Sequence, residues 1–158
     1  MLQVITVISI AVLVAADQIV KLLVIKHLVP IGSFTLIDGV IRLRYVENTG
    51  AAFGSFEGKT SILSMVTFVV IVVGLVYLLT KKKKPDVEYV CYSLIIAGGL
   101  GNLIDRVFRG YVIDYIEPIF VDFAVFNFAD ILVTCSAIFL IIWMLYDICK
   151  SGRKQKDK

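Results

Sequence analysis

Four stretches of the chain are apolar for long enough to cross a bilayer, and their polar interruptions fall at particular places. The first covers residues 3–23 and is broken by Asp17 and Lys21. The second, 62–79, is diluted only by Ser64, Thr67 and Gly74. The third, 89–104, runs into Gly98-Gly-Leu-Gly-Asn-Leu-Ile-Asp-Arg106, and the fourth covers 127–146. A spanning helix needs about 20 predominantly apolar residues, so the pattern predicts four transmembrane helices. The first is read as a span and not as a cleaved leader, because no basic segment precedes its apolar run. Between the first two spans, in residues 28–58, the period changes. Ile41-Arg-Leu-Arg-Tyr45 alternates as a strand does, and Gly32-Ser33 and Asp38-Gly39 are turn signals on either side of Phe34–Ile37. The expected fold is a mainly α membrane protein. It has four transmembrane helices and a small extracytoplasmic β-sheet between helices 1 and 2, with residues 1–158 forming one membrane domain.

Composition supports the membrane reading. Apolar residues make up 59% of the 158 positions, where a soluble domain has roughly 45–50%. The formal net charge of +3 is too small to argue for nucleic acid. Its distribution is more informative. Lys81–Lys84 form one basic cluster, and Lys150, Arg153, Lys154, Lys156 and Lys158 form another in the tail 150–158. The positive-inside rule puts both clusters in the cytoplasm. Both termini then lie inside, and residues 26–59 and 107–125 face outward. Cys91, Cys135 and Cys149 are an odd set in or beside apolar segments. They are expected to be buried, inert thiols and not a disulfide framework.

With that orientation, each polar residue of the spans can be placed by depth. Asp17 lies ~20 Å from the inner end of span one, at 1.5 Å per residue. Asn102, Asp105 and Arg106 lie at the outer end of span three, and Asn127 and Asp130 at the outer end of span four. Glu47, Asn48 and Asp114 belong to the outer regions. The costly groups therefore converge on one level near the outer interface. Gly98, Gly101, Asn102 and Asp105 follow helical spacing and share a face, where the glycines allow a neighbouring helix or a substrate backbone to come close.

The single histidine, His27, excludes a two-histidine zinc site on a helix. No nucleophile elbow, Walker loop or dinucleotide fingerprint is present. Carboxylates remain. Asp114 and Asp130 lie on separate elements at one level, and two close aspartates in a poorly solvated site share a proton and titrate as a pair. Such a pair can activate water with one member while the other protonates a carbonyl. Asn127 and Asp130 also suit a helix N-cap. Two other classes stand beside this one. Asp17, Asp105 and Asp130 could line an ion path, and the site could bind lipid-modified peptides without turnover.

Five motifs taken together resemble those of the lipoprotein signal peptidases, or signal peptidase II. They are Asp17-Gln-Ile-Val-Lys21, Asn48-Thr-Gly-Ala-Ala-Phe53, Gly98–Arg106, Val112-Ile-Asp114 and Phe126-Asn-Phe-Ala-Asp130. The resemblance implies an aspartyl endopeptidase of the bacterial plasma membrane, active near the outer face. It would cut diacylglyceryl-modified prolipoproteins just before the lipidated cysteine. It implies Asp114 and Asp130 as the catalytic pair, and Asn48, Gly50, Asn102, Arg106, Asn127 and Ala129 as the substrate site. Asp17, Lys21, Gly98, Gly101 and Asp105 would support the fold. No metal, cofactor or nucleic acid is implied. Membrane lipid is an expected partner, and cyclic-peptide antibiotics of the kind that inhibit the family are expected ligands.

Overall fold

The computed structural model describes residues 1–50, 60–81 and 86–156. Ala51–Phe53, Lys82–Lys84 and most of the basic tail's side chains lie outside the described residues. The elements are α1 (Leu2–Leu28), β1 (Ser33–Ile37), β2 (Ile41–Asn48), α2 (Thr60–Thr80), α3 (Val87–Arg109), β3 (Val112–Pro118) and α4 (Phe128–Lys156). All four helices are long and apolar enough to cross a membrane. Helices α1, α3 and α4 run further than the apolar stretches alone predict, with charged residues in their added turns. Lys26 and His27 fall in the last turn of α1, and Arg106 and Arg109 in the last turn of α3.

Helix α3 is the axis of the bundle and packs against α1, α2 and α4. Asp86 starts it by accepting the Tyr89 N–H at 3.0 Å. Gly110 ends it in the left-handed region, with φ +84° and its N–H on the Arg106 carbonyl, a conformation that costs glycine little. The glycine face expected from the sequence meets α1 and α4. A Cβ on Gly98 would collide with the Ala129 carbonyl of α4. One on Gly101 would lie 2.5 Å from an Asp17 oxygen and 3.3 Å from the Ala129 Cβ. These glycines let three helices close on one another.

The sheet has three antiparallel strands in the order β1-β2-β3. The β1–β2 hairpin falls where the turn signals place it, with Gly39 at φ +71°. The third strand comes from the second outer region, for which the alternation argument predicts no strand. Its Val-Ile-Asp-Tyr-Ile run is β-branched and aromatic. It is buried on both faces, so no alternation shows. One face packs on the C-terminal end of α1, where Ile113 and Tyr115 meet Val24 and Leu28. The pairing of β2 with β3 slips between Leu43↔Ile116 and Val46↔Asp114, leaving one extra residue in β2. This bulge places Asn48 two residues beyond the partner of Asp114, on the same face. On its other edge β3 is bridged by Phe126: the Ile116 N–H donates to the Phe126 carbonyl at 2.8 Å, and the reverse bond is 3.0 Å.

The cysteines need a correction. Cys91 is buried, but Cys135 and Cys149 are exposed on the protein surface. On a membrane-spanning helix an outward-facing thiol needs no protein neighbour, because lipid covers it.

Gly101→Ala should lower stability by about 1–3 kcal/mol, the usual cost of overpacking. A Cβ on Gly99 would meet Ile71 side-chain carbons at 3.4 Å and the Thr67 methyl at 3.8 Å, ordinary contact distances. Gly99→Ala should change stability by less than about 0.5 kcal/mol, helped by alanine's helix propensity. Thermal unfolding of the two detergent-solubilised variants measures the difference.

Candidate functional site

The site is built from five elements, α1, β2, α3, β3 and α4, and has a closed ionic base. Lys21 on α1 is fully buried. Its ammonium lies 2.9 Å from Asp17 and 2.7 Å from Asp105, and it donates to Asn102 Oδ1 at 2.9 Å. Three donors meet three acceptors. Asp105 also accepts from Arg109 at 2.5 Å and from the Ile113 N–H at 3.2 Å. Asp17 accepts the Ala129 N–H at 3.2 Å. Gln18 bridges both carboxylates and the Gly101 carbonyl, and Arg109 reaches its Oε1. Two cations and two anions thus cancel. Gln18 and Arg109 carry no role in the sequence reading. The Asp105–Arg109 spacing of i, i+4 is the signal that could have found the second.

Asp114 and Asp130 stand above this base. Asp114, on β3, accepts from Asn48 Nδ2 at 2.9 Å and from Asn127 Nδ2 at 2.6 Å. Asp130, in the first turn of α4, accepts from Asn102 Nδ2 at 2.7 Å and from the Asn127 N–H at 3.1 Å. The orientation of each asparagine follows from an obligate donor. Lys21 can only donate, so it must meet the oxygen of Asn102. The Asp130 N–H fixes the oxygen of Asn127 at 3.0 Å, and the Gly50 N–H fixes that of Asn48 at 2.9 Å. All three amide NH2 groups are therefore turned toward the two carboxyls. Asn127 and Asp130 also exchange bonds as a helix-capping pair does. The atoms that cap α4 are thus among those that hold the two carboxyls.

Asp114 is 1% exposed. Burial, and then the charge of Asp130, push its carboxyl up to about 7, against the two amide donors and Lys21. Beside the pair lies a cavity of about 360 Å³. Asn48, Asn102, Arg106, Asp114 and Asp130 form its polar side, and Phe123, Val125, Phe126 and Ile131 are among its apolar walls. A second apolar space of about 290 Å³ runs between α2, α3 and α4 and also reaches Asn102, Arg106 and Asp130. Gly50, Asn127 and Ala129 stand behind the cavity wall. Asn127 and Ala129 have no exposed surface, and the Gly50 carbonyl accepts from Arg106 at 3.1 Å. Among the described residues, no three His, Cys, Asp or Glu side chains are grouped as a metal ion would need.

The model of the family described as Signal peptidase (SPase) II matches residues 9–146. The chain belongs to the signal peptidase II family. It is 42% identical over 142 residues to the lipoprotein signal peptidase of Caldanaerobacter subterraneus subsp. tengcongensis, covering 89% of this chain and 95% of that one. It is 40% identical over 139 residues to the lipoprotein signal peptidase of Clostridioides difficile, covering 88% and 93%. Two solved bacterial membrane enzymes, at 33% and 32% identity, superpose with TM-scores of 0.81 and 0.78 over 90% of this chain. The four-helix fold and sheet are therefore those of a multi-pass membrane enzyme. Membership of a peptidase family sets aside the ion-path reading.

The ionic base of this signal peptidase II chain makes a direct prediction. Lys21→Met leaves Asp17 and Asp105 buried with only Arg109 to balance them. Breaking a buried pair on one side costs about 3–5 kcal/mol. Little folded protein should be recovered from membranes, as read by size-exclusion chromatography in detergent.

Proposed function

We propose that the chain is an aspartyl endopeptidase that removes the signal peptide from diacylglyceryl-modified prolipoproteins, cutting just before the lipidated cysteine. Family membership makes it a protease that acts on prolipoproteins. The aspartyl mechanism is carried by one observation: two carboxyls from different elements, Asp114 buried and Asp130 half-buried, each held through both oxygens by amide donors, face one cavity. Neither forms a salt bridge among the described residues, because Lys21 is fully engaged by Asp17 and Asp105. A free carboxyl pair in poor solvent retains a proton near neutral pH and can work as acid and base together.

In this reading a water held between Asp114 and Asp130 attacks the scissile carbonyl. One aspartate takes a proton from the water and the other gives one to the carbonyl oxygen. Asn48, Asn102 and Arg106 line the cavity and hold the substrate backbone. Asn127, Ala129 and Gly50 fix the groups that do so. Arg106 Nε is a buried donor with no partner among the described residues. A substrate carbonyl would remove the cost of leaving it unpaired. The apolar walls suit acyl chains and an apolar signal segment, and cyclic-peptide inhibitors of the family would compete for the same space. The site opens at the outer face of the bacterial plasma membrane, with both termini cytoplasmic, as the basic clusters require.

Asp114→Asn and Asp130→Asn should each lower kcat by at least about 10³-fold while leaving the fold intact, since a paired acid and base act as a unit. Asp38→Asn and Asp122→Asn, at exposed positions, should leave turnover within about twofold of the parent. Release of signal peptide from a purified diacylglyceryl prolipoprotein measures all four. Substantial turnover by Asp130→Asn would assign the chemistry elsewhere.

Turnover should also fall as pH rises through about 7, where Asp114 loses its proton. Orientation is checked separately. In a cysteine-free background, a cysteine placed at Asp122 should react with an impermeant thiol reagent on intact cells, and one at Ser151 should not.

A further inference from the structure

The two aspartates are held by different kinds of donor, and the difference gives them different jobs. We infer that Asp130 carries the charge of the pair and Asp114 holds the proton, with Lys21, acting through Asn102, as the positioning residue that sets this order. The inference rests on the dyad proposed above and deepens it.

Three observations point the same way. Asp130 is the third residue of α4 and accepts the Asn127 N–H at 3.1 Å. A helix N-terminus favours an anion there. Its other oxygen accepts from Asn102, whose own oxygen holds the Lys21 ammonium at 2.9 Å and Asn127 Nδ2 at 3.1 Å. An amide polarised by a cation at its oxygen is a stronger donor at its nitrogen. Asp114 has neither advantage. It lies in a strand, and its donors are the side-chain amides of Asn48 and Asn127. Neither of those two amides is in contact with a cation among the described hydrogen bonds.

Charge balance agrees. The titratable and charged groups around the pair are Asp17 and Lys21 on α1, Asp105, Arg106 and Arg109 on α3, Tyr115 on β3, and the pair itself. Asp17, Asp105, Lys21 and Arg109 cancel. Arg106 remains and interacts with Asp130, Asp114 and Asp105. One negative charge on the pair neutralises it. Two would leave an uncompensated anion in a poorly solvated site, which is costly.

The reaction then balances over one cycle. Ionised Asp130 takes a proton from water as the water oxygen bonds to the carbonyl carbon, and Asp114 gives its proton to the carbonyl oxygen. The resulting gem-diol collapses as the C–N bond breaks. Asp130 passes its proton to the leaving nitrogen, and a gem-diol hydroxyl returns one to Asp114. The amine and the carboxylic acid leave, and each aspartate is back in its starting state.

The test compares Asp17→Asn with Asp17→Asn/Lys21→Met. The double variant removes one cation and one anion and keeps the Asp105–Arg109 pair, so its base stays neutral. Relative to the single variant, the acidic limb of kcat/KM against pH should move up by about one pH unit, with roughly tenfold less activity on the acid side. The loss should fall in kcat with KM unchanged, because Lys21 has no surface on the cavity. A folded double variant with the acidic limb of Asp17→Asn overturns the role given to Lys21.

A second measurement needs no change at Lys21. Asp114→Asn and Asp130→Asn each leave one carboxyl, which infrared difference spectra against the doubly substituted protein can titrate. The carboxyl left in Asp114→Asn should ionise at the lower pH, and the reverse order overturns the inference. The dyad is tested apart from this. Turnover by Asp130→Asn would remove the dyad itself. Inactive Asp114→Asn and Asp130→Asn with an unmoved acidic limb would remove only the role of Lys21.

Discussion

A fully buried ammonium must satisfy all three of its donors, and Lys21 does so on two helices at once. Asp17 is one turn away on its own helix, and Asp105 and Asn102 lie on α3. Leaving any of these unpaired in a membrane interior costs several kcal/mol. The ammonium therefore fixes the C-terminal half of α1 against α3 in register as well as in distance. Asp17 then reaches the Ala129 N–H of α4, and Asp105 reaches the Ile113 N–H of β3. Two carboxylates held by one cation tie together four of the five elements that carry the site, α1, α3, β3 and α4. Because these charges satisfy one another, they leave the second pair of carboxylates free for other work.

That second pair is assembled by backbone pairing. The Ile116–Phe126 bridge brings the chain back to β3 after the loop that follows it. Asp114 lies two residues before the bridge and Asp130 four after it, so a short backbone clamp sets their elements side by side. The three asparagines then convert fixed positions into fixed donors, since each oxygen is already committed to a group that can only donate. A preorganised set of amides needs no rearrangement when charge develops in the cavity, and this is the main way an enclosed site stabilises a reacting centre.

Much of this was legible from the sequence, and the reason is the membrane. In water, Asp17, Lys21, Asn102 and Asp105 would be ordinary surface residues on ordinary helices. In hydrocarbon each needs a partner, so equal depth on separate spans implies contact. Depth along the spans therefore places Asp17, Asn102, Asp105, Asn127 and Asp130 at one level before any packing is known. The glycine face was legible for a similar reason, because Gly98 and Gly101 have no cost-free role in a helix other than close approach. Strand β3 was not legible from alternation, since burial on both faces removes the period that identifies a strand. The β2 bulge was hidden as well, because register depends on pairing partners far apart in sequence. Cys135 and Cys149 were misread because hydrophobic surroundings imply burial in water, but in a bilayer they are equally satisfied by lipid.

Asp130 shows why a capping reading and a functional reading of one residue need not compete. Its carboxyl caps α4 reciprocally with Asn127, and the cap holds the side chain in one rotamer at the start of a helix. A carboxylate that must accept a proton from water needs that same fixed position, because misplacement by about 1 Å is enough to cost 10²-fold in rate. The helix end supplies the positive field that favours the charged form. In the proposed mechanism the bonds that stabilise the helix also aim the base. Asn127 is bound to both aspartates and has no exposed surface, so it sets their separation without needing to touch a substrate. The polar residues of this family motif are thus arranged in depth. An ionic base holds the helices, an amide layer holds the carboxyls, and only the carboxyls, two of the asparagines and Arg106 reach the cavity where a lipid-bound peptide would lie.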